Sequence, residues 1–139
     1  MKKLKTRAAA VMIHNRQILL IHRLNKGREY WVLPGGKVET NETIKEAVAR
    51  EVMEETSLTA TPTQLLYILR PKPSFQEYYY LCTTTGGKPS LGNFNEAASQ
   101  KKGADFYNPQ WVSLKKLPQL TLYPNTIKSR ILLDFASSQ

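Results

Sequence analysis

Residues 36–58 read GKVETNETIKEAVAREVMEETSL, and the middle of this stretch has the composition of a helix. From Asn41 to about Thr56 the residues are mostly good helix formers without Gly or Pro, and either Thr40 or Asn41 can serve as the N-cap. The preceding Pro34-Gly35-Gly36 forces a turn or bulge. The sequence therefore predicts a helix that follows a glycine turn.

Three carboxylates share one face of this helix, because Glu51, Glu54 and Glu55 project within a sector of about 100°. Like charges at this spacing cost about 0.2–0.5 kcal/mol per pair. Acids in the last helical turn also oppose the helix dipole, at about 0.3–1 kcal/mol each. Arg50 can neutralise part of the charge, but one guanidinium does not balance three carboxylates. A hard cation such as Mg²⁺ would, so the pattern favours a metal site over an ordinary acidic surface.

The sequence on both sides of the helix predicts a β-rich protein. Residues 6–14 and 17–24 flank the polar pair Asn15-Arg16 and suggest an opening hairpin. Further strands are predicted at residues 30–33, 64–70, 75–84 and 106–112. A short helical turn at residues 113–117 should stop at Pro118. Pro124 should begin a last helix, in which Ile127, Ile131 and Phe135 form a buried face.

Length and composition predict one domain, residues 1–139, because a chain of this size can bury a single core. No apolar stretch approaches the roughly 20 residues that a membrane span needs. The single cysteine, Cys82, lies in the apolar run YYYLC and should be a buried thiol without an intramolecular disulfide. We therefore expect a cytoplasmic protein without a membrane partner.

The net charge of +9 suggests a polyanionic partner. Nucleic acid, an anionic membrane and a small phosphorylated substrate all fit this charge. Seven of the eleven acidic residues nevertheless lie between positions 29 and 55, so the carboxylates of a basic protein are concentrated in one place. The basic residues are scattered and show no recognition-helix pattern, which disfavours a nucleic-acid reader.

The stretch 36–58 resembles the Nudix box of the MutT/Nudix hydrolase family, whose pattern is G-x5-E-x7-R-E-U-x-E-E-x-G-U with U a bulky aliphatic residue. Every charged position matches. The matching residues are Gly36, Glu42, Arg50, Glu51, Val52, Glu54, Glu55 and Leu58. The departure is Ser57, which stands where the family has glycine and would strain the turn modestly if that position needs positive φ. The flanks Leu33-Pro34-Gly35 and Trp111-Val112 are also similar to the family's.

The resemblance implies the Nudix fold, an α/β/α sandwich around a mixed β-sheet with the box as a loop–helix–loop motif. It also implies a Mg²⁺-dependent hydrolase, in which Mn²⁺ can substitute, acting on a small nucleotide. A metal-activated water would cleave a phosphoanhydride bond of a nucleoside diphosphate linked to another moiety. The alternative is a nucleotide- or RNA-binding module without turnover, which has no evident need for three converging carboxylates. The sequence leaves open the particular substrate and the choice between monomer and homodimer.

The resemblance also implies roles for individual residues. Glu54, Glu55 and the backbone carbonyl of Gly36 should bind the metal. Glu51 should either join them or act as general base, and Arg50 belongs to the same catalytic set. Arg50 and Glu42 should orient the ligands, in keeping with how metal sites are supported.

A further acid from outside the box is expected, because related enzymes often recruit one. Glu96 is preferred over Glu77 and Asp105, since it lies in a long loop that can reach into the site. Arg23 is a candidate contact for the substrate phosphate. Tyr30, Phe75 and Tyr107 are candidates for stacking on a nucleobase, although aromatic residues in strands are more often core.

Overall fold

The computed structural model describes residues 4–90 and 105–136. These residues contain eight strands, two α-helices and a short 3-10 helix. The strands are β1 (Lys5–His14), β2 (Gln17–Asn25), β3 (Arg28–Val32), β4 (Gly35–Lys37), β5 (Thr61–Lys72), β6 (Phe75–Thr83), β7 (Asp105–Ser113) and β8 (Leu122–Tyr123). The helices are α1 (Ile44–Thr56) and α2 (Asn125–Phe135), and the 3-10 helix spans Leu114–Gln119. Each predicted strand is present with shifted ends. β4 and β8 were not predicted, because they are too short to show a pattern.

The strands form a mixed sheet, since β1 runs parallel to β6 and antiparallel to β4. β1 then reaches β2 only through Ile13 and His14. β2 pairs with β7 along one edge and with β3 along the other, and β8 extends β3. The sheet therefore consists of a first ladder of β4, β1, β6 and β5 and a second ladder of β7, β2, β3 and β8.

The predicted opening hairpin is confirmed. Asn15 and Arg16 form its turn with φ of 52° and 63°. Two-residue hairpin turns require such positive angles, because these match the twist of the flanking strands. The two strands pair only next to this turn, so each is free to join a different ladder.

Side chains on β1 alternate between two cores, one on each face of the sheet. Ala9 and Val11 belong to a core that includes Ile127 and Ile131 of α2. Ala8, Ala10 and Met12 belong to a core that includes the α1 residues Ala47, Val48 and Val52 and the buried thiol of Cys82. The two helices therefore cover opposite faces of a mixed sheet, which confirms the predicted α/β/α arrangement and the buried cysteine.

Two predicted helix ends are wrong. α1 is capped by Thr43 and not by Thr40 or Asn41, because Thr43 and Glu46 exchange two hydrogen bonds in a capping box. The 3-10 helix passes through Pro118 and ends at Gln119, so the proline does not stop it. Pro124 is the N-cap of α2, directly before its first turn. Within the described ranges, no helix is long and apolar enough to cross a membrane.

Candidate active site

The box helix α1 is defined at both ends by local hydrogen bonds. At its start, Glu46 N donates to Thr43 Oγ1 at 3.1 Å and Thr43 N donates to Glu46 Oε1 at 2.8 Å. At its end, Ser57 N donates to the Met53 carbonyl at 3.0 Å. Ser57 has φ 64° and ψ 11°, the left-handed conformation that favours glycine. The position of the box glycine therefore has positive φ, and the serine that replaces the glycine there is strained.

Arg50 is the centre of the charged network on α1. Its Nε and Nη2 donate to the two carboxylate oxygens of Glu42 at 2.7 and 3.0 Å. Its Nη1 donates to Glu51 at 3.1 Å and to Glu54 at 3.0 Å. The hydrogen bond from Arg50 lowers the pKa of Glu42 below its ordinary value. One guanidinium thus contacts three carboxylates, which leaves this group two negative charges in excess when all are ionised.

Arg50 also connects the helix to the loop before it. Its Nη2 donates to the Lys37 carbonyl at 2.9 Å, at the end of β4. Glu42 strengthens the same loop by accepting a bond from Glu39 N at 2.9 Å. Arg50 and Glu42 are therefore bonded to each other and to the segment that precedes the helix.

Glu51 lies against Gly36 of β4, and its side chain is only 15% exposed. A Cβ atom added to Gly36 would overlap the Glu51 carboxylate, so this close approach requires glycine. Burial raises the pKa of Glu51 above its ordinary value, although Arg50 acts in the opposite direction and Glu54 adds to the rise. The box glycine and the box glutamate thus form one compact unit.

Glu55 has a separate partner. Its Oε1 accepts a hydrogen bond from Gly35 N at 2.8 Å. Among residues 4–90 and 105–136, no three acidic, histidine or cysteine side chains are grouped closely enough to hold a metal ion as they stand. Glu51 and Glu54 share Arg50, while Glu55 bonds to Gly35. The three glutamates offer carboxylate oxygens as metal ligands, and the group has excess negative charge. Mg²⁺ prefers such ligands.

A cavity of about 520 Å³ opens beside Glu55 and Gly35. Its first wall is the first ladder, which contributes Arg7, Glu77 and Tyr79. Glu77 is 9% exposed, accepts a hydrogen bond from the Tyr79 hydroxyl at 3.2 Å and lies 3.8 Å from Arg7 Nε. This wall therefore combines charged groups with Gly35 of β4.

The second wall is built from the second ladder and is largely apolar and aromatic. It contributes Ile21, Arg23, Tyr30, Val32 and Tyr107. The Arg23 guanidinium carbon lies 3.7 Å from the centre of the Tyr107 ring and 5.6 Å from that of Tyr30. The cavity therefore combines Glu55 of the box helix with aromatic residues of the second ladder.

The structure brings together some of the predicted residues and not others. Arg23, Tyr30 and Tyr107 line the same cavity as Glu55, whereas Phe75 lines a different, smaller cavity of about 270 Å³. Glu96 and the side chain of Asp105 lie outside the described residues. Glu77, which was ranked below Glu96, lines the candidate site.

The sequence analysis did not single out every residue of the cavity. Tyr123 of β8 and Pro124, the N-cap of α2, line it, and no local pattern indicated this. Glu77 was named, although behind Glu96, and a signal for it was available, because Phe75, Glu77 and Tyr79 alternate on one face of β6. A glutamate at an inward-facing strand position is uncommon.

Comparison with known proteins agrees with this geometry. Residues 4–133 match the NUDIX domain family. The chain belongs to the Nudix hydrolase family. The family, the enzyme class and the fold that the sequence predicted are confirmed, and enzymes of this family generally use divalent metal ions.

Several Nudix relatives are similar over most of the chain. A Bacillus subtilis protein provisionally named an 8-oxo-dGTP diphosphatase is 34% identical over 133 residues, which are 94% of this chain and 79% of that protein. Nudix hydrolase 1 of Caenorhabditis elegans, also a provisional name, is 35% identical over 106 residues, 73% of this chain and 28% of that protein. The chain thus spans little more than a quarter of the C. elegans relative.

The fold is shared with solved Nudix structures. A MutT structure from a study of Aliivibrio salmonicida and Vibrio cholerae has a TM-score of 0.75 at 22% identity and covers 96% of this chain and all of its own. A Nudix hydrolase from Nitrosomonas europaea has a TM-score of 0.76 at 17% identity and covers all of this chain and 76% of its own. At these identities the likeness concerns the fold alone.

Proposed function

We propose that this protein is a Mg²⁺-dependent hydrolase, in which Mn²⁺ can substitute, that cleaves a phosphoanhydride bond of a nucleoside diphosphate linked to another moiety. The observation that carries the proposal is the position of Glu55, which extends the carboxylate cluster of α1 to the cavity of about 520 Å³. This volume suits a nucleotide, since ligand pockets typically measure ~300–1,000 Å³. Its acidic residues would hold phosphates through a bound divalent ion, and its aromatic residues would accommodate a base.

Each residue of the carboxylate cluster has a proposed role. Glu51, Glu54, Glu55 and the Gly36 carbonyl would hold the divalent ion, and Glu51 would either be a ligand or accept the proton of the attacking water. A bound divalent ion supplies an activated water and neutralises charge on the phosphates. Arg50 is already bonded to Glu51 and Glu54 and, with Glu42, would orient these carboxylates.

Substrate binding falls to the cavity, with Arg23 and Tyr30 among its contacts. The name of the B. subtilis relative makes 8-oxo-dGTP one substrate to test. We further propose that residues 1–139 form one domain, which acts as a monomer or homodimer on small nucleotides in the cytoplasm, without a nucleic-acid or membrane partner. A single free cysteine agrees with that compartment.

A panel of nucleoside triphosphates, 8-oxo-dGTP and ADP-ribose tests the proposal. We expect at least one of them to be hydrolysed with Mg²⁺ or Mn²⁺, with a nucleoside monophosphate among the products. Activity should disappear in excess EDTA and in Glu54→Gln. Glu29→Gln is a matched control, because Glu29 is an exposed glutamate that bonds to His22 outside the cluster. Equal turnover in EDTA would refute the metal requirement, and binding without turnover would favour the non-catalytic alternative.

We also propose Glu96 as the acid outside the box, which would reach the substrate from the loop that the sequence predicts. Glu96→Gln should lower the turnover rate by about tenfold or more, in line with the loss of a group that assists proton transfer. The melting temperature should stay nearly unchanged. Glu77→Gln is the comparison, since Glu77 already lines the cavity. Normal kinetics in Glu96→Gln together with slow turnover in Glu77→Gln would transfer this role to Glu77.

A further inference from the structure

Three basic residues lie close together where β1 begins, beside β4. Arg7 of β1 is the direct partner of Lys37 in the pairing of β1 with β4. Lys5 precedes Arg7 by two positions in the same strand, so the two side chains leave the sheet on the same face. Like charges directly opposite each other in paired strands repel and are destabilising. This basic cluster, which consists of Lys5, Arg7 and Lys37, is therefore an arrangement that an anion would stabilise.

The basic cluster has little compensation from acidic residues. Within the part of the chain that the structure describes, its one ion pair joins Arg7 to Glu77, with 3.8 Å between Nε and the carboxylate oxygen. No carboxylate of the described residues lies within ion-pair distance of Lys5 or Lys37. Three positive charges thus face one negative charge, which leaves two positive charges in excess. The carboxylate cluster on α1 has the opposite imbalance.

The basic cluster surrounds a cavity of about 270 Å³. Thr6 and Phe75 complete its lining, and none of the five lining residues is acidic. Lys5, Thr6 and Lys37 also line a neighbouring cavity of about 350 Å³, whose lining includes one glutamate. A cavity lined by positive charge and without carboxylates favours an anionic ligand.

This cavity adjoins the candidate active site, because Arg7 lines both. The strand register agrees, since Ala8 follows Arg7 and pairs with Gly36 of the box. The ligands of the active site are proposed to be phosphorylated nucleotides, so phosphate is the anion that would be present here. Lysine binds phosphate as a point charge, and arginine donates hydrogen bonds to the phosphate oxygens. The choice of phosphate over other anions rests on the proposed function.

We propose that the basic cluster is a phosphate-binding subsite beside the candidate active site. It binds phosphate groups other than those that the carboxylate cluster would hold through a divalent ion. These groups belong either to the moiety linked to the nucleoside diphosphate, as in a nucleoside triphosphate, or to a separate phosphorylated ligand. In both cases the lysines at the start of β1 and in β4 supply the charge.

Calorimetric titration of the metal-free protein with inorganic tripolyphosphate tests the subsite, because without a divalent ion the carboxylate cluster repels this probe. We expect the wild type to bind tripolyphosphate. The affinity should fall about tenfold in Lys5→Gln and in Lys37→Gln, which is the effect of losing one hydrogen bond to a charged group. Lys5→Arg keeps the charge and should keep the binding. Unchanged melting temperatures would show that these variants are folded.

Lys115→Gln is the matched control and should bind tripolyphosphate as the wild type does. It also removes one positive charge, but Lys115 is an exposed residue of the 3-10 helix and lines neither cavity of the basic cluster. Equal weakening in Lys115→Gln and Lys5→Gln would overturn the subsite, since binding would then follow net charge alone. The subsite is also overturned if the metal-free wild type does not bind tripolyphosphate, or if Lys5→Gln and Lys37→Gln bind it normally.

Inhibition kinetics with Mg²⁺ in excess separate the two sources of phosphate. Competitive inhibition by tripolyphosphate that becomes weaker in Lys5→Gln would assign the bound phosphate to the substrate. A change in rate without competition, absent in Lys5→Gln, would assign it to a separate phosphorylated ligand. If no nucleotide is hydrolysed, only the proposed function is overturned, because the titration with tripolyphosphate needs no turnover.

Discussion

At the scale of single residues, the box tolerates one substitution that its geometry disfavours. Ser57 occupies the left-handed position after α1, where the family pattern has glycine. Its hydroxyl donates to the Ser90 carbonyl at 3.0 Å, which offsets part of the strain. The serine thus exchanges backbone freedom for a bond to a residue 33 positions away.

Ser57→Gly should stabilise the protein modestly. Holding a non-glycine residue in the left-handed region costs about 1 kcal/mol or more, and glycine removes this cost. Loss of the solvent-exposed hydrogen bond to Ser90 should cancel only part of this gain in stability. Urea unfolding would measure the gain. Ser57→Ala is the control, because it loses the hydroxyl and keeps the strain, so it should be less stable than wild type. A glycine variant no more stable than the alanine variant would contradict this explanation.

At the scale of elements, α1 carries its charge in an arrangement that needs compensation. Arg50 bonds to Glu51 and Glu54, but Glu54 is 42% exposed and such ion pairs contribute little, about 0–1 kcal/mol. The bond from Gly35 to Glu55 is a second local compensation. The structure therefore reduces the predicted repulsion without removing the excess negative charge that favours a cation.

Melting curves of the wild type, Glu54→Gln and Glu55→Gln test this compensation. Because Gln removes one negative charge at nearly constant volume, the variants without metal should be within about 1 kcal/mol of wild type. Millimolar Mg²⁺ should raise the melting temperature of the wild type by binding only the native state, and should raise it less in each variant. Variants that are clearly less stable in EDTA and that respond to Mg²⁺ as the wild type does would show these glutamates to be structural partners.

At the scale of the whole molecule, the candidate site depends on the way the sheet divides. β1 and β2 pair only next to their shared turn, and residues of both the first ladder and the second ladder line one cavity. α1 then places Glu55 at the edge of this cavity. A site with charged groups on one side and rings on the other follows from this topology.

Sequence and tertiary structure determined different parts of this protein. The hairpin, the box helix and the charged set around Arg50 were readable in the sequence, because helix formers, turn residues and spacings of three or four residues act over short distances. The N-cap was wrongly predicted at Thr40 or Asn41, although the capping box of Thr43 and Glu46 is itself a local pattern. Local patterns were sufficient for all of these features.

Only the tertiary structure decided what surrounds the site. Arg23 lies beside Tyr107 because β2 pairs with β7, and Glu77 lies beside Arg7 because β6 pairs with β1. These partners are separated by 84 and 70 positions in the chain. Strand pairing over such distances is fixed by burial of the two cores and by register, neither of which appears in the periodicity of a single segment. The carboxylate helix was therefore predictable from the sequence, whereas the cavity that it faces was not.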